Sequence, residues 1–320
     1  MTIEEIYQLA IKLAIKADPR GEEGVKKYLS RAKKEYEELP SKKKEEFDLE
    51  NLKNPYSDSR ILYGDPSTPI DSILAGIDIG VGEVLLADRL KEKGEGIDLI
   101  LGHHPHGAAL AALHEVMELQ IDVAEQYGVP VNVAESLLRD RMGEVSRRFS
   151  PVNHFQSVDA ARILGLPFLV THTVTDNLVY DFMKKTIEEK KPETVGEVVE
   201  MLKEIPEYKE AVKFKAGPII LVGNEKSRAG RVVPTEFTGG TEGSKELYEK
   251  LSSAGVGTIL GMHLSEEHRK EAEKHHINVV IGGHIVSDSV GMNLFLDELQ
   301  RKGIKVIPCS GLIRVSRVKN

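Results

Sequence analysis

The pattern of apolar and polar positions divides the chain into a helical start and a longer body. Apolar residues recur at helical spacing from Ile3 to Leu13, and Thr2 with Glu5 has the spacing of a capping box. A second helix is predicted over residues 22–39, ending before a Pro-Ser pair. We therefore predict that residues 1–60 form a helical N-terminal extension.

In the body, short apolar segments alternate with charged helical segments. ILAGIDIG, IDLILG and FLVT are predicted strands in the first half, and IILVG, VVPTEFTGG, TILGM, VVIGG and KVIPCSG in the second. This alternation is typical of parallel strands joined by crossover helices. We predict an α/β fold with two lobes of mixed or parallel sheets. The first lobe is residues 61–205, with a helical insert at 106–155, and the second is residues 206–320.

Composition and charge exclude several classes of protein. The 320 residues carry a net charge of −8, so we expect no nucleic-acid binding, which requires a dense cationic surface. The single cysteine, Cys309, excludes an intramolecular disulfide and a cysteine-rich zinc site, and its apolar neighbours predict a buried side chain. No secretory signal and no apolar stretch long enough to cross a bilayer is visible, which predicts a cytoplasmic protein without membrane contact.

Histidines follow four of the apolar segments directly, and two of them precede a carboxylate by four residues. These residues are His103, His104, His172 with Asp176, His263, and His284 with Asp288. Functional groups collect at strand ends in α/β sheets, and imidazole with carboxylate suits Zn²⁺, Fe²⁺ or Mn²⁺ better than Ca²⁺ or Mg²⁺. The alternative at each position is a structural role, as a polar loop residue, a helix cap or a first-turn acid.

Two further features lie near these motifs. His263 and His268 follow a strand of the second half, and we favour a structural role for both. The segment FTGGTEGS, residues 237–244, lies between a predicted strand and a predicted helix. We interpret it as a tight turn that requires positive φ, with an anion cradle of backbone N–H groups as the alternative. It does not have the Lys-Ser/Thr pair of a P-loop.

Three motifs, in this order, resemble those of the Nif-three-like family. LILGHHPHG, VTHTVTD and INVVIGGHIVSD are similar to its HHP, HTxxD and GHxxSE motifs, over roughly residues 70–110 and 155–315. The resemblance implies two divalent metal ions (Zn, Fe or Mn) between the lobes and a homo-oligomeric ring, usually a hexamer. The ligands that it implies are His103, His104, Asp176, His284 and Asp288. Asp288 stands where the family has Glu, and residues 1–60 and 106–155 have no clear counterpart.

Together, the residues and the resemblance predict a dinuclear metal-dependent hydrolase. Two ions that share a water would lower its pKa and clamp the attacking and leaving oxygens, with His172 as the candidate catalytic proton-transfer residue. The expected small-molecule substrate contains a phosphoester, a nucleotide or a cyclic amide-like bond. Family members are often described as GTP cyclohydrolase I type 2 homologues, but no purine-selecting residue is evident here. The alternative is a metal-binding oligomeric scaffold or regulator that binds a protein partner without catalysis.

Overall fold

The computed structural model describes residues 1–318, which form two β-sheets surrounded by helices. The strands are β1 Ser59–Tyr63, β2 Ser72–Gly76, β3 Leu99–Gly102, β4 Phe168–Thr171, β5 Ile219–Val222, β6 Arg231–Glu236, β7 Val256–Gly261, β8 Asn278–Ile281 and β9 Lys305–Cys309. The helices are α1 Ile3–Ala17, α2 Gly21–Glu38, α3 Ser41–Glu46, α4 Val81–Glu92, α5 Gly107–Ala111, α6 Leu119–Gln126, α7 Val131–Phe149, α8 Gln156–Ile163, α9 His172–Lys190, α10 Val195–Lys203, α11 Pro206–Lys213, α12 Leu247–Ser253, α13 Glu266–Lys274 and α14 His284–Arg301. Two 3₁₀ turns lie at Leu49–Leu52 and Leu113–Glu118.

The two sheets share one strand pattern. The first has the order β1-β4-β3-β2-β9 and the second the order β5-β8-β7-β6. All neighbours are parallel except the edge strands β1 and β5, which pair antiparallel with β4 and β8. The predicted α/β fold with two mixed sheets is therefore confirmed. In each sheet, the strand beside the antiparallel edge leads directly into a helix that begins with histidine.

Sheet membership does not follow the predicted division of the chain between residues 205 and 206. The last strand, β9, pairs with β2 and so returns the end of the chain to the first sheet. A second difference is β1, which lies in a stretch rich in Pro, Asp and Ser and is not among the predicted strands. A segment of five residues is too short to show a clear alternation of apolar and polar positions. Its extended conformation is decided by pairing with β4.

The N-terminal extension is part of the core. Helix α1 has the predicted capping box between Thr2 and Glu5, and its apolar face is buried. Just after it, the buried carboxylate of Asp18 accepts hydrogen bonds from the Arg20 guanidinium and the Tyr56 hydroxyl. The insert at 106–155 contains α5, a 3₁₀ turn, α6 and α7. The sequence over 108–149 predicts only two helices, separated near Gly128-Val129-Pro130. Cys309 is half-buried. Within residues 1–318 no helix is both long and apolar enough to cross a membrane.

Candidate metal centre

Three strand ends deliver the candidate ligands to one place. His103 and His104 directly follow β3, and His172 and His284 are the first residues of α9 and α14, after β4 and β8. Because residues four apart lie on one helix face, Asp176 and Asp288 project on the same side as these histidines. The turn into α14 requires glycine at position 283, where φ is +112° and a Cβ would lie 3.0 Å from the Ala216 carbonyl oxygen.

The close approach of α9 and α14 brings the two carboxylates together. Gly291 of α14 faces the α9 backbone, and a Cβ built on it would lie only 2.3 Å from the Thr175 carbonyl oxygen. No residue with a side chain fits at this crossing without a shift of one helix. Thr175 immediately precedes Asp176, and Gly291 follows Asp288 by three residues, so the crossing sets the spacing of the centre.

The ligand atoms form two groups that share the carboxylate of Asp288. His103 Nε2 lies 3.5 Å from Asp176 Oδ1 and 3.4 Å from Asp288 Oδ1. On the other side, Asp288 Oδ2 lies 3.4 Å from His104 Nε2 and 3.6 Å from His284 Nε2. Within each group, all ligand atoms lie within 4.8 Å of one another. The structure thus brings together all five residues that the family resemblance implies.

Several of these atoms are buried without a hydrogen-bond partner. They are His103 Nε2, Asp176 Oδ1 and both carboxylate oxygens of Asp288. Burying unpaired polar atoms costs free energy, so such a cluster needs a reason. Two ligands bound about 2.0–2.2 Å from one ion at a tetrahedral angle lie roughly 3.3–3.6 Å apart. The nitrogen and oxygen spacing therefore fits a bound divalent metal.

Each imidazole of the first sheet is oriented through its other nitrogen. The Nδ1 atoms of His103, His104 and His172 lie 2.9 Å from Thr175 Oγ1, 2.6 Å from Asp78 Oδ1 and 2.7 Å from Asp58 Oδ2. The Thr175 hydroxyl donates its proton to the Thr171 carbonyl, so it accepts one from His103 Nδ1. All three partners thus hold the proton on Nδ1 and leave Nε2 free as a ligand.

Sequence reasoning missed Asp58, Asp78 and Thr175, although the strand pattern weakly indicated that Asp78 lies near the site. Asp78 follows β2, the neighbour of β3, so its position at the carboxyl edge of the first sheet was available from the strand pattern. Asp58 is separated from its partner His172 by 114 residues, and no local spacing connects the two.

His172 lies within the cluster rather than beside it. Its ring centroid is 5.0 Å from that of His103, and its Nε2 is 3.9 Å from Asp176 Oδ2. It also forms a group of possible ligands with His103 and His104. Burial favours the neutral imidazole, but the Asp176 and Asp58 carboxylates outweigh it and raise the pKa of His172. The geometry suits a metal ligand as well as the predicted proton-transfer residue.

Burial and mutual proximity separate the protonation states of the other ligands. Burial opposes the charge of His104, but hydrogen bonds to Asp288 and Asp78 raise its pKa to about 10, so this imidazole must lose a proton when a metal binds. Burial lowers the pKa of both His103 and His284 to about 4, which keeps these imidazoles neutral, as metal ligands must be. Burial also opposes ionisation of Asp288, but the three surrounding imidazoles prevail and hold its pKa below the usual range. Asp288 is therefore the carboxylate that the site keeps charged.

Solved structures of other proteins share this architecture. A NIF3 superfamily protein from Sphaerobacter thermophilus aligns with 98% of this chain and 99% of its own at 24% identity, with a TM-score of 0.76. The chain has the NIF3 fold. HcgD from Methanocaldococcus jannaschii, in its reduced form, aligns with 83% of this chain and 94% of its own at 15% identity, with a TM-score of 0.51. No protein-family model matches the sequence, and no curated protein matches it.

The alignment to the NIF3 fold also corrects one sequence-based expectation. Residues 1–60 and 106–155 have no clear counterpart in the motif-based resemblance. Since the alignment covers nearly all of both chains, these segments have structural counterparts in the Sphaerobacter protein. They are therefore not additions peculiar to this sequence.

The second lobe of the NIF3 fold forms the opposite wall of the cleft. His263 lies there with its ring centroid 4.6 Å from that of His284, and its Nδ1 is 3.3 Å from Glu242 Oε1. Sequence reasoning gave His263 only a structural role. The strand order could have indicated that His263 lies at the site, since His263 follows β7 as His103 and His104 follow β3. His268 instead hydrogen-bonds Ser265 and lies behind the wall.

Proposed function

We propose that this protein is a metal-dependent hydrolase that binds two divalent ions. The observation that carries the proposal is the carboxylate of Asp288, which is buried and has no partner for either oxygen. Oδ1 faces the group with His103 and Asp176, and Oδ2 faces the group with His104 and His284. A carboxylate placed between two sets of ligands is suited to bridging two ions.

The ligand types narrow the choice of metal. Imidazole nitrogen and carboxylate oxygen, without thiolate, favour Zn²⁺, Fe²⁺ or Mn²⁺. Asp288 is one methylene shorter than the Glu of the family motif. Its oxygens nevertheless lie 3.4 Å from both His103 Nε2 and His104 Nε2, so the shorter side chain reaches both groups.

Two bound ions would supply Lewis acidity to activate a water and to stabilise the charge that develops on the substrate. The protein's own residues then orient and enclose the reaction. Asp58, Asp78 and Thr175 fix the imidazoles, while the wall with His263 and Glu242 faces the ligands across the cleft. His172 remains the proposed proton-transfer residue. The proposed substrate contains a phosphoester, a nucleotide or a cyclic amide-like bond.

Metal stoichiometry tests the proposal directly. We expect elemental analysis of untagged protein to find about two equivalents of Zn, Fe or Mn per chain. Asp288→Ala should lower the occupancy of both sites, because both groups contain this residue, whereas Asp176→Asn and His104→Ala should each lower one. His114→Ala, outside the cluster, is the control for loss of a histidine, and circular dichroism checks the fold.

Absence of metal after reconstitution and dialysis would contradict the proposal. Equal losses in the Asp288 and Asp176 variants would contradict the bridging role. With metal bound, activity is tested on a panel of phosphoesters, nucleotides and cyclic amides. The homo-oligomeric ring, usually a hexamer, and a protein partner remain predictions, and light scattering of the metal-loaded protein tests the ring.

A further inference from the structure

The loop of residues 237–244 forms part of the cleft wall opposite the metal ligands. Its carbonyl groups are held from behind by side chains of other elements. Gln120 Nε2 donates to the carbonyls of Gly239 and Thr241, at 2.7 and 2.6 Å. Arg141 Nε donates to the Glu242 carbonyl at 3.1 Å, and His268 Nε2 lies 2.9 Å from the Gly243 carbonyl oxygen. Four carbonyls in five residues therefore point away from the cleft.

The N–H groups of the same peptide units point the opposite way. No peptide bond among residues 1–318 is cis, and in a trans peptide the C=O and N–H are antiparallel. The carbonyls of Gly239 and Thr241 point to Gln120, which does not line the cleft, so the N–H groups of Gly240 and Glu242 in the same peptide units face the cleft. Neither N–H group has a hydrogen-bond partner in the described part of the chain.

Two glycines make this arrangement possible. Gly239 and Gly240 have φ of +89° and +87°, and Cβ atoms there would lie 2.5 Å from Gln120 and 2.8 Å from Val116. The helical insert thus packs directly on the back of the loop, and Gln120, at 7% exposure, fixes it. The insert therefore has a specific position in the site: it supports the wall that faces the metal centre.

We propose that this loop is an oxyanion subsite, in which the N–H groups of Gly240 and Glu242 bind a phosphoryl oxygen of the substrate. This inference rests on the proposed function and narrows its substrate to a phosphoester, including the phosphate of a nucleotide. Unpartnered N–H groups on one wall and unpartnered ligand atoms of His103, Asp176 and Asp288 on the other face a single cleft. A phosphoryl group has enough oxygens for one to accept from the N–H groups while others bind the metal ions that those ligand atoms would hold.

The charges of the cleft are compatible with an anion. Glu242 is paired with His263, whose Nδ1 lies 3.3 Å from Oε1, and it also has His268 Nδ1 at 3.6 Å from Oε2. Burial raises the pKa of Glu236, the other carboxyl of this wall, and so favours its neutral form. Bound divalent ions would offset the charges of Asp176 and Asp288. Gln120 does not line the cleft, so it acts as a positioning residue through the loop backbone.

Phosphate binding to the metal-loaded protein tests the subsite. We expect Gln120→Met to weaken binding of inorganic phosphate about tenfold in calorimetry, with unchanged metal content, since the N–H donors lose their orientation. The matched control is Gln126→Met in the same helix, α6, whose side chain bonds the Pro19 carbonyl away from the cleft. This control should bind phosphate like the wild type.

A second variant covers the case in which Gln120→Met does not fold. Arg141→Met, at a partly exposed position, removes one loop contact, the hydrogen bond to the Glu242 carbonyl, together with a surface ion pair to Glu144, and should weaken phosphate binding about threefold. Wild-type phosphate affinity in both folded variants would mean that the metal ions alone bind phosphate, and it would overturn the subsite while leaving the hydrolase proposal intact. A wild-type protein that binds no metal would instead contradict the proposed function before phosphate is added.

Discussion

Gly291→Ala perturbs the helix crossing on which the whole centre depends. The added Cβ would lie 2.3 Å from the Thr175 carbonyl oxygen, whereas ordinary contact begins near 3.4 Å. Helix α14 must therefore move from α9 by about 1.1 Å (3.4 − 2.3). Metal sites tolerate ligand displacements of only about 0.2 Å, so a shift of this size should separate Asp288 from Asp176 and lower metal occupancy.

The same substitution should also lower stability. Adding a methyl to a packed interior costs about 1–3 kcal/mol, which corresponds to a melting temperature roughly 2–10 °C lower. Thermal unfolding of the metal-free protein isolates this packing cost, and elemental analysis then measures occupancy. The control is Gly82→Ala, in helix α4, where a Cβ meets no atom within 4 Å. It should be neutral or stabilising by roughly 0.5–1 kcal/mol, the ordinary gain of alanine over glycine in a helix.

Wild-type metal content and melting temperature in Gly291→Ala would refute this reasoning. The helices would then be able to part without disturbing the ligands, and the close crossing would not determine the site. Loss of metal with unchanged stability would leave the positional argument intact and show that the packing cost is relieved elsewhere. An equal loss of stability in Gly82→Ala would show that the substitution type, and not the crossing, is responsible.

Two other predictions concern residues around the ligands. Asp78→Asn should lower the affinity for one of the two ions by about 10–100-fold in chelator competition, because an amide orients the His104 imidazole less strongly than a carboxylate does. An equal loss of affinity for both ions would contradict this prediction. Burial opposes ionisation of Glu242, but His263 and His268 lower its pKa from the usual 4.5 to about 2. Since its folded-state pKa is depressed, Glu242 should stabilise the protein above about pH 4.5 and lose this contribution as the pH falls towards 2. Urea unfolding of wild type and Glu242→Gln should therefore differ most near pH 6 and converge near pH 2–3; a constant difference would contradict the assignment.

Local pattern accounts for much of the fold. Strands β2 to β9 all lie within apolar segments visible in the sequence, and Thr2 with Glu5 caps α1 as its spacing predicts. Such features depend on interactions between residues only a few positions apart, which do not require a particular tertiary arrangement. Strand β1 and the several elements of the insert depended on tertiary contacts and were not recognised.

For the site, the sequence determined which residue types stand at the strand ends. It could not show that Asp288 would lie between His103 and His104, because Asp288 is more than 180 positions from both and only tertiary packing joins them. Nor could it show that Asp58 orients His172, or that Gln120 holds the loop of the opposite wall. Spacing along one strand or helix fixes the face on which a side chain lies. Which faces meet is decided by packing between distant segments, and in this protein that packing brings the ligands of two lobes to one centre.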